Sequence, residues 1–287
     1  MPRLFRSTHL RSPALAVLAL LACLVFAGCT SLEMQQRKWI IMPSQGSSWS
    51  AGTTSDMQDV WIEHHSAESG SLVKLHGLWY PSARAGAPLL LYLHGARRDV
   101  ASSAFRIRHM QELGFSVLAI DYRGFGQSSD ELPSEAMVYE DAHAAWTWLA
   151  HQHPGHDRYI FGHSLGGAIA VQLATEVSDA KGLIVEGTFT SIPDVFQTMR
   201  WGWLPLTPLI TLRFDSAQKI GRVRMPVLIV HGSNDGLIQP ALGRALFERA
   251  PEPKRFVLVE GGTHYSTNGV GQKLYREALR DLFGLES

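Results

Sequence analysis

Six short apolar runs punctuate the chain, at residues 88–93, 116–120, 158–161, 182–185, 226–230 and 255–259. Each is too short for a helix and lacks period-two alternation, which is the pattern of strands buried on both faces of a parallel sheet. Ahead of them, Val60 and Ile62, then Leu72 to Trp79, mark two leading strands, with Glu68-Ser69-Gly70-Ser71 as the hairpin turn between them. Helical spacing fills the intervals at 104–113, 134–151, 165–177, 240–249 and 272–283. In the second of these, Val138, Ala142, Trp146 and Leu149 recur on one face, while Glu140, Asp141 and His143 are expected largely on the polar side. Strand-then-helix alternation predicts right-handed crossovers and an α/β fold: an open, mostly parallel, eight-stranded sheet with helices on both faces.

Composition agrees with one globular domain of 287 residues, 45% of them hydrophobic. With 26 basic and 26 acidic side chains there is no broad attraction for phosphate backbones, so nucleic acid is not expected as a partner. The N-terminus is the exception to the globular texture. Arg3, Arg6 and Arg11 precede an apolar run from Pro13 to Phe26 that ends at small residues Ala27 and Gly28, a secretory signal pattern over residues 1–28. Its removal leaves 23 basic against 26 acidic side chains. An uncleaved anchor is the alternative, although the run is shorter than the ~20 apolar residues that span a bilayer comfortably.

The two cysteines, Cys23 and Cys29, both lie in this region, so no cysteine remains for a disulfide in the domain. Val25-Phe26-Ala27-Gly28-Cys29 resembles a bacterial lipobox, which implies lipidation of Cys29, a membrane partner through that anchor and, with Thr30 following, an outer-membrane destination. Ordinary signal cleavage nearby is the other reading. Residues 29–55 are Ser-, Gln- and Gly-rich with isolated Trp39, Ile40, Ile41 and Trp49, and read as a tether leading to a domain over 56–287.

Gly162-His163-Ser164-Leu165-Gly166-Gly167 stands where a strand ending near Phe161 must turn into a helix beginning near Leu165. This G-x-S-x-G setting is a nucleophile elbow: the turn lifts the Ser164 hydroxyl above the strand ends, and Gly162 and Gly166 leave room for the neighbouring backbone. A helix N-cap serine in a tight turn is the alternative. A nucleophilic serine needs a base, and the partners are expected in the order acid then histidine, each after a later strand. Asp235 follows the run at 226–230 and His264 follows that at 255–259; Glu186, at another strand end, is the rival acid. The donors for a developing oxyanion are expected at the backbone N–H of Leu165 and of Ala96, the latter after the turn at Gly95. His151, His153 and His156 are closely spaced but have no distant ligand set to complete a zinc site, so neither a metal nor an organic cofactor is expected.

These stretches, together with Tyr92-Leu93-His94-Gly95, residues 121–128, Thr188-Phe189-Thr190-Ser191, Phe214-Asp215-Ser216 and Gly262-Thr263-His264, resemble the α/β-hydrolase superfamily. The likeness is to its branch of serine-aminopeptidase-like hydrolases and acyl-protein depalmitoylases, over about Val60 to Phe283. Ala96-Arg97-Arg98 departs from that pattern, in which Asn and further Gly commonly follow His-Gly. The run 121–126 is expected to shape a loop rather than perform chemistry. A small helical cap is expected over about 188–225, where Met199, Trp201, Trp203, Leu204, Leu206, Leu209 and Ile210 supply an apolar face. The leading expectation is a membrane-tethered serine hydrolase of small-molecule esters or thioesters with an apolar acyl part. A peptidase or aminopeptidase, and a surface binding protein that has lost turnover, are the other readings.

Overall fold

The computed structural model describes residue 28, residues 30–45 and residues 51–286. The expected signal segment, apart from Gly28, and Cys29 lie outside the described residues.

Eight strands form one sheet in the order β1-β2-β4-β3-β5-β6-β7-β8. They are β1 (Gln58–His65), β2 (Leu72–Tyr80), β3 (Leu89–Leu93), β4 (Ser116–Ile120), β5 (Arg158–His163), β6 (Ala180–Glu186), β7 (Val227–Gly232) and β8 (Lys254–Val259). The first hairpin is antiparallel, β2 runs antiparallel to β4, and every pairing from β4 to β8 is parallel. The helices are α1 (30–36), α2 (Ala104–Glu112), α3 (Glu135–Gln152), α4 (Leu165–Glu176), α5 (Ile192–Thr198), α6 (Ser216–Lys219), α7 (Pro240–Arg249), α8 (Thr267–Val270) and α9 (Gln272–Phe283).

The apolar runs form strands because both faces of the sheet are covered. Along β3, Leu89, Leu91 and Leu93 enter the core shared with α3 and α4, while Leu90 and Tyr92 enter the one shared with α2 and α9. Helix α4 is apolar almost all round because it packs against β5, β6 and α3 at once. Helix boundaries follow local chemistry. The Ser134 hydroxyl accepts the Met137 N–H at the start of α3, and Gly284, at φ 69°, closes α9 in the left-handed region that glycine takes without strain.

Asp141 departs from the polar face expected of it. It is fully buried, and its carboxylate accepts hydrogen bonds from Arg123 Nε and Nη2 at 3.0 and 2.7 Å and from the Arg123 N–H at 2.9 Å. Arg123, also fully buried, reaches Glu140 as well, 2.7 Å from Nη2. The helical period was legible; a long-range ion pair that draws a carboxylate inward has no local signature. This network anchors the loop after β4, whose first residue, Asp121, accepts the Val100 N–H at 2.6 Å and so holds the end of the loop that follows β3.

The stretch 30–45, read above as tether, is helical through α1 and continues as a π-helical turn over Arg37–Ile41, with Ile41 fully buried. The Arg97 N–H donates to Ile41 O and the Gly126 N–H to Ser44 O, which straps this arm across the sheet's C-terminal edge.

Because removing one partner of a buried ion pair strands the other charge, Asp141→Ala is expected to destabilise the fold by about 3–5 kcal/mol. Urea unfolding, with the midpoint compared against wild type, measures it.

Candidate active site

Ser164 sits between β5 and α4 at φ 56° and ψ −121°, a conformation outside the ordinary regions for a residue bearing a β-carbon. The turn is as tight as the motif requires. A β-carbon on Gly162 would lie 2.2 Å from Gly166 O, and one on Gly166 would lie 2.1 Å from Leu93 O. The end of β3 therefore rests directly on the first turn of α4. Gly95 packs less tightly but still close, where an added β-carbon would meet Ser164 Cβ at 3.0 Å, and this brings the 95–96 peptide against the serine. The N–H of Leu165 belongs to the opening turn of α4, where backbone donors have no helical partner.

Asp235 and His264 come together on the loops after β7 and β8. Asp235 Oδ2 lies 2.7 Å from His264 Nδ1, while Oδ1 accepts the N–H groups of Leu237 and Ile238 at 2.9 and 2.8 Å. With Nδ1 donating to the carboxylate, His264 Nε2 is left as an acceptor. His231 Nε2 donates to Ile238 O at 2.9 Å and stands 3.4 Å from Asp235 Oδ2. Burial opposes the Asp235 charge, but the hydrogen bonds from His231, His264 and the Ile238 N–H outweigh it and hold the carboxyl well below the usual range. Ser164 and His264 line the same cleft; no hydrogen bond joins them among the described contacts.

Glu186, the rival acid, has other partners. It is buried, receives Arg106 Nε at 3.1 Å and the Tyr275 hydroxyl at 2.5 Å, and accepts nothing from His264. Arg106 in turn donates to His264 O at 3.0 Å and Tyr265 O at 3.2 Å, so this ion pair fixes the backbone that carries His264. Neither Arg106 nor Tyr275 carries a motif, and the sequence offered no sign of this support.

Two clefts meet at Ser164, sharing Ala96, Arg97 and Leu237. One, of about 350 Å³, is the more polar of the two and contains His264. The other, of about 440 Å³, is apolar and is walled by Leu165, Phe189, Ile192, Val195 and Phe196 from the domain and cap. Met199, Leu206, Leu209 and Ile210 of the cap also line it, and a further wall is the N-terminal arm, through Leu32, Gln36, Trp39, Ile40 and Met42. Gln36 fastens arm to cap: Nε2 donates to Leu209 O at 2.7 Å, and Oε1 accepts the Thr211 N–H at 2.8 Å. The arm's part in this pocket was missed in the sequence; the adjacent Trp39, Ile40 and Ile41 were its one available signal. A wider groove of about 790 Å³ along β1 and α3 shares no residue with these clefts and contains no serine or cysteine.

An eight-stranded sheet with a serine elbow after β5 and an acid and histidine after β7 and β8 is the architecture of the α/β-hydrolases. A family model described as serine aminopeptidase, S33, matches residues 87–215. Two uncharacterised proteins from strains of Mycobacterium tuberculosis are each 34% identical over 275 residues, covering 94% of this chain and 95% of theirs, and the chain belongs to one family with them. Lysophosphatidylserine lipase ABHD12 of Danio rerio is 29% identical over 195 residues, which is 61% of this chain and 51% of that protein. The Pyrococcus furiosus esterase Pf2001 superposes with a TM-score of 0.65 at 18% identity, over 84% of this chain and 98% of its own.

His163, inside the elbow, is buried with Nε2 3.0 Å from His264 O, and burial first, then Arg106 and His264, pushes its imidazole well below the ordinary value. The unfolded chain takes up this proton near about pH 6.5 and the folded chain only at lower pH. The stabilisation is therefore complete above that value and is lost as pH falls, with a limiting slope of about 1.4 kcal/mol per pH unit. His76 acts in the opposite sense: burial alone would lower it, but Asp121 and Asp59 raise it. Urea midpoints recorded from about pH 7 to 5 should fall less steeply in His163→Gln than in wild type.

Proposed function

We propose that the protein is a membrane-tethered serine hydrolase that cleaves carboxylic esters or thioesters with an apolar acyl part. The observation that carries this reading is the apolar cavity opening beside Ser164, whose lining includes no acidic side chain. An aminopeptidase must neutralise the ammonium of its substrate, and no acidic residue lines either cleft at the serine. That favours an acyl ester over a peptide. The names of the zebrafish lipase and the archaeal esterase are consistent with the same chemistry.

In the proposed reaction, Ser164 Oγ attacks the carbonyl carbon while His264 Nε2 takes its proton, and Asp235 stabilises the resulting imidazolium. The N–H groups of Ala96 and Leu165 receive the oxyanion. Collapse breaks the bond to the leaving oxygen or sulfur, which takes the proton from His264, and leaves an acyl-enzyme. Water, activated by the same histidine, then releases the acid and restores Ser164. The tether would be a lipid on Cys29, facing the periplasm from the outer membrane. The exposed rings of Trp39 on the arm and Trp201 and Trp203 on the cap would supply further apolar contact with that membrane.

A fluorophosphonate probe is expected to label the wild-type protein covalently, and Ser164→Ala and His264→Ala are expected to abolish labelling. Labelled wild type should then turn over p-nitrophenyl or thioester substrates without releasing amino acids from peptides. Well-folded wild type that takes no label would leave the binding-protein reading in its place.

A further inference from the structure

We infer that the polar cleft beside Ser164 is a subsite for an anionic leaving group, a phosphate- or carboxylate-bearing alcohol, with Arg97 as its specificity-determining residue. The inference rests on the serine-hydrolase reading above and deepens it. His264 must reach the leaving group to protonate it, and His264 lines the polar cleft but not the apolar one. The acyl chain therefore occupies the apolar cavity, and the alcohol lies on the opposite side, between Ser164 and the loop after β3.

That side is cationic. Arg98 and Arg106 line it, along with Ser102 and Ser103, Arg97 stands on the boundary with the apolar cavity, and no Asp or Glu lines it. Arg106 is committed beneath the surface to Glu186 and to two carbonyls. Arg97 is exposed at the rim, with Nε 3.1 Å from Met42 Sδ and no ion pair to any described residue. Its backbone is the second observation. Arg97 holds φ at 82°, in the left-handed region that glycine enters freely and that a β-carbon disfavours. Glycine would relieve that strain in the very loop carrying Ala96, so the guanidinium is kept at a conformational penalty. A planar, permanently charged fork is suited to phosphate and carboxylate oxygens.

The test compares three substrates with one acyl chain: 1-lauroylglycerol, 1-lauroylglycerol 3-phosphate and the lauroyl ester of glycerate. In wild type at low salt, kcat/KM for an anionic ester is expected to exceed that for the neutral one by on the order of tenfold, with the ratio shrinking as salt is raised. A gain with both anions assigns a general anion subsite, and a gain with one assigns that group. Arg97→Gly keeps the backbone conformation while removing the charge, and is expected to bring the ratio to about one; Arg97→Lys is expected to retain part of it. A purely structural role for Arg97 would scale all three rates together. Hydrolysis with a ratio near one in wild type, or a ratio unchanged in Arg97→Gly, overturns the subsite and leaves the hydrolase standing. Absence of hydrolysis of all three esters together with absence of fluorophosphonate labelling overturns both.

Discussion

The site depends on one steric constraint, the contact between the first turn of α4 and the end of β3. No β-carbon fits on Gly166 because Leu93 O and His94 O occupy the space, and none fits on Gly162 because Gly166 O does. The same contact that forces Ser164 into its strained turn also presses the loop after β3 against it. The candidate nucleophile and the loop proposed to receive the oxyanion are thus two sides of a single packing arrangement, and Ala96 and Arg97 reach Ser164 because Gly95 leaves little gap. Parallel pairing of β3 with β5, β5 with β6, β6 with β7 and β7 with β8 then sets the acid and histidine loops on the same edge of the sheet.

Beneath that edge, buried charge is used for positioning. Arg106 and Glu186 neutralise each other, and the remaining Arg106 N–H groups hold the carbonyls of His264 and Tyr265. Asp235 is supported from three directions, by two backbone N–H groups and by His231 and His264. These contacts leave the imidazole little rotational freedom, which is the condition for a general base whose geometry is set before substrate arrives. The neutral, buried His163 completes the layer and is the reason the elbow should respond to acid.

How much was legible in the sequence follows from the range of each contact. β4, α7 and α9 could be bounded from the chain because burial on both faces, a helix-starting Pro240 and the terminating Gly284 are local signals. The elbow and the order of Ser164, Asp235 and His264 were legible for the same reason: each sits at a strand end marked by glycine. Asp141 was assigned to the wrong face because its partner lies 18 positions away in sequence, and the arm was read as tether because Gln36 finds Leu209 across 173 positions. An apolar residue that closes a pocket contributed by other segments shows no periodicity of its own. Cap and arm together shape the cavity at Ser164, so the substrate, more than the chemistry, is what the sequence pattern left open.

In the proposed reaction Ser164 carries an acyl group during turnover, with its chain in the cavity closed by the arm. Rapid acid quench during turnover of a long-chain p-nitrophenyl ester, followed by peptide mass analysis, tests it directly. An acyl mass increment is expected on the peptide containing Ser164, absent in Ser164→Ala. Undiminished hydrolysis by Ser164→Ala, or an adduct confined to another residue, would contradict it.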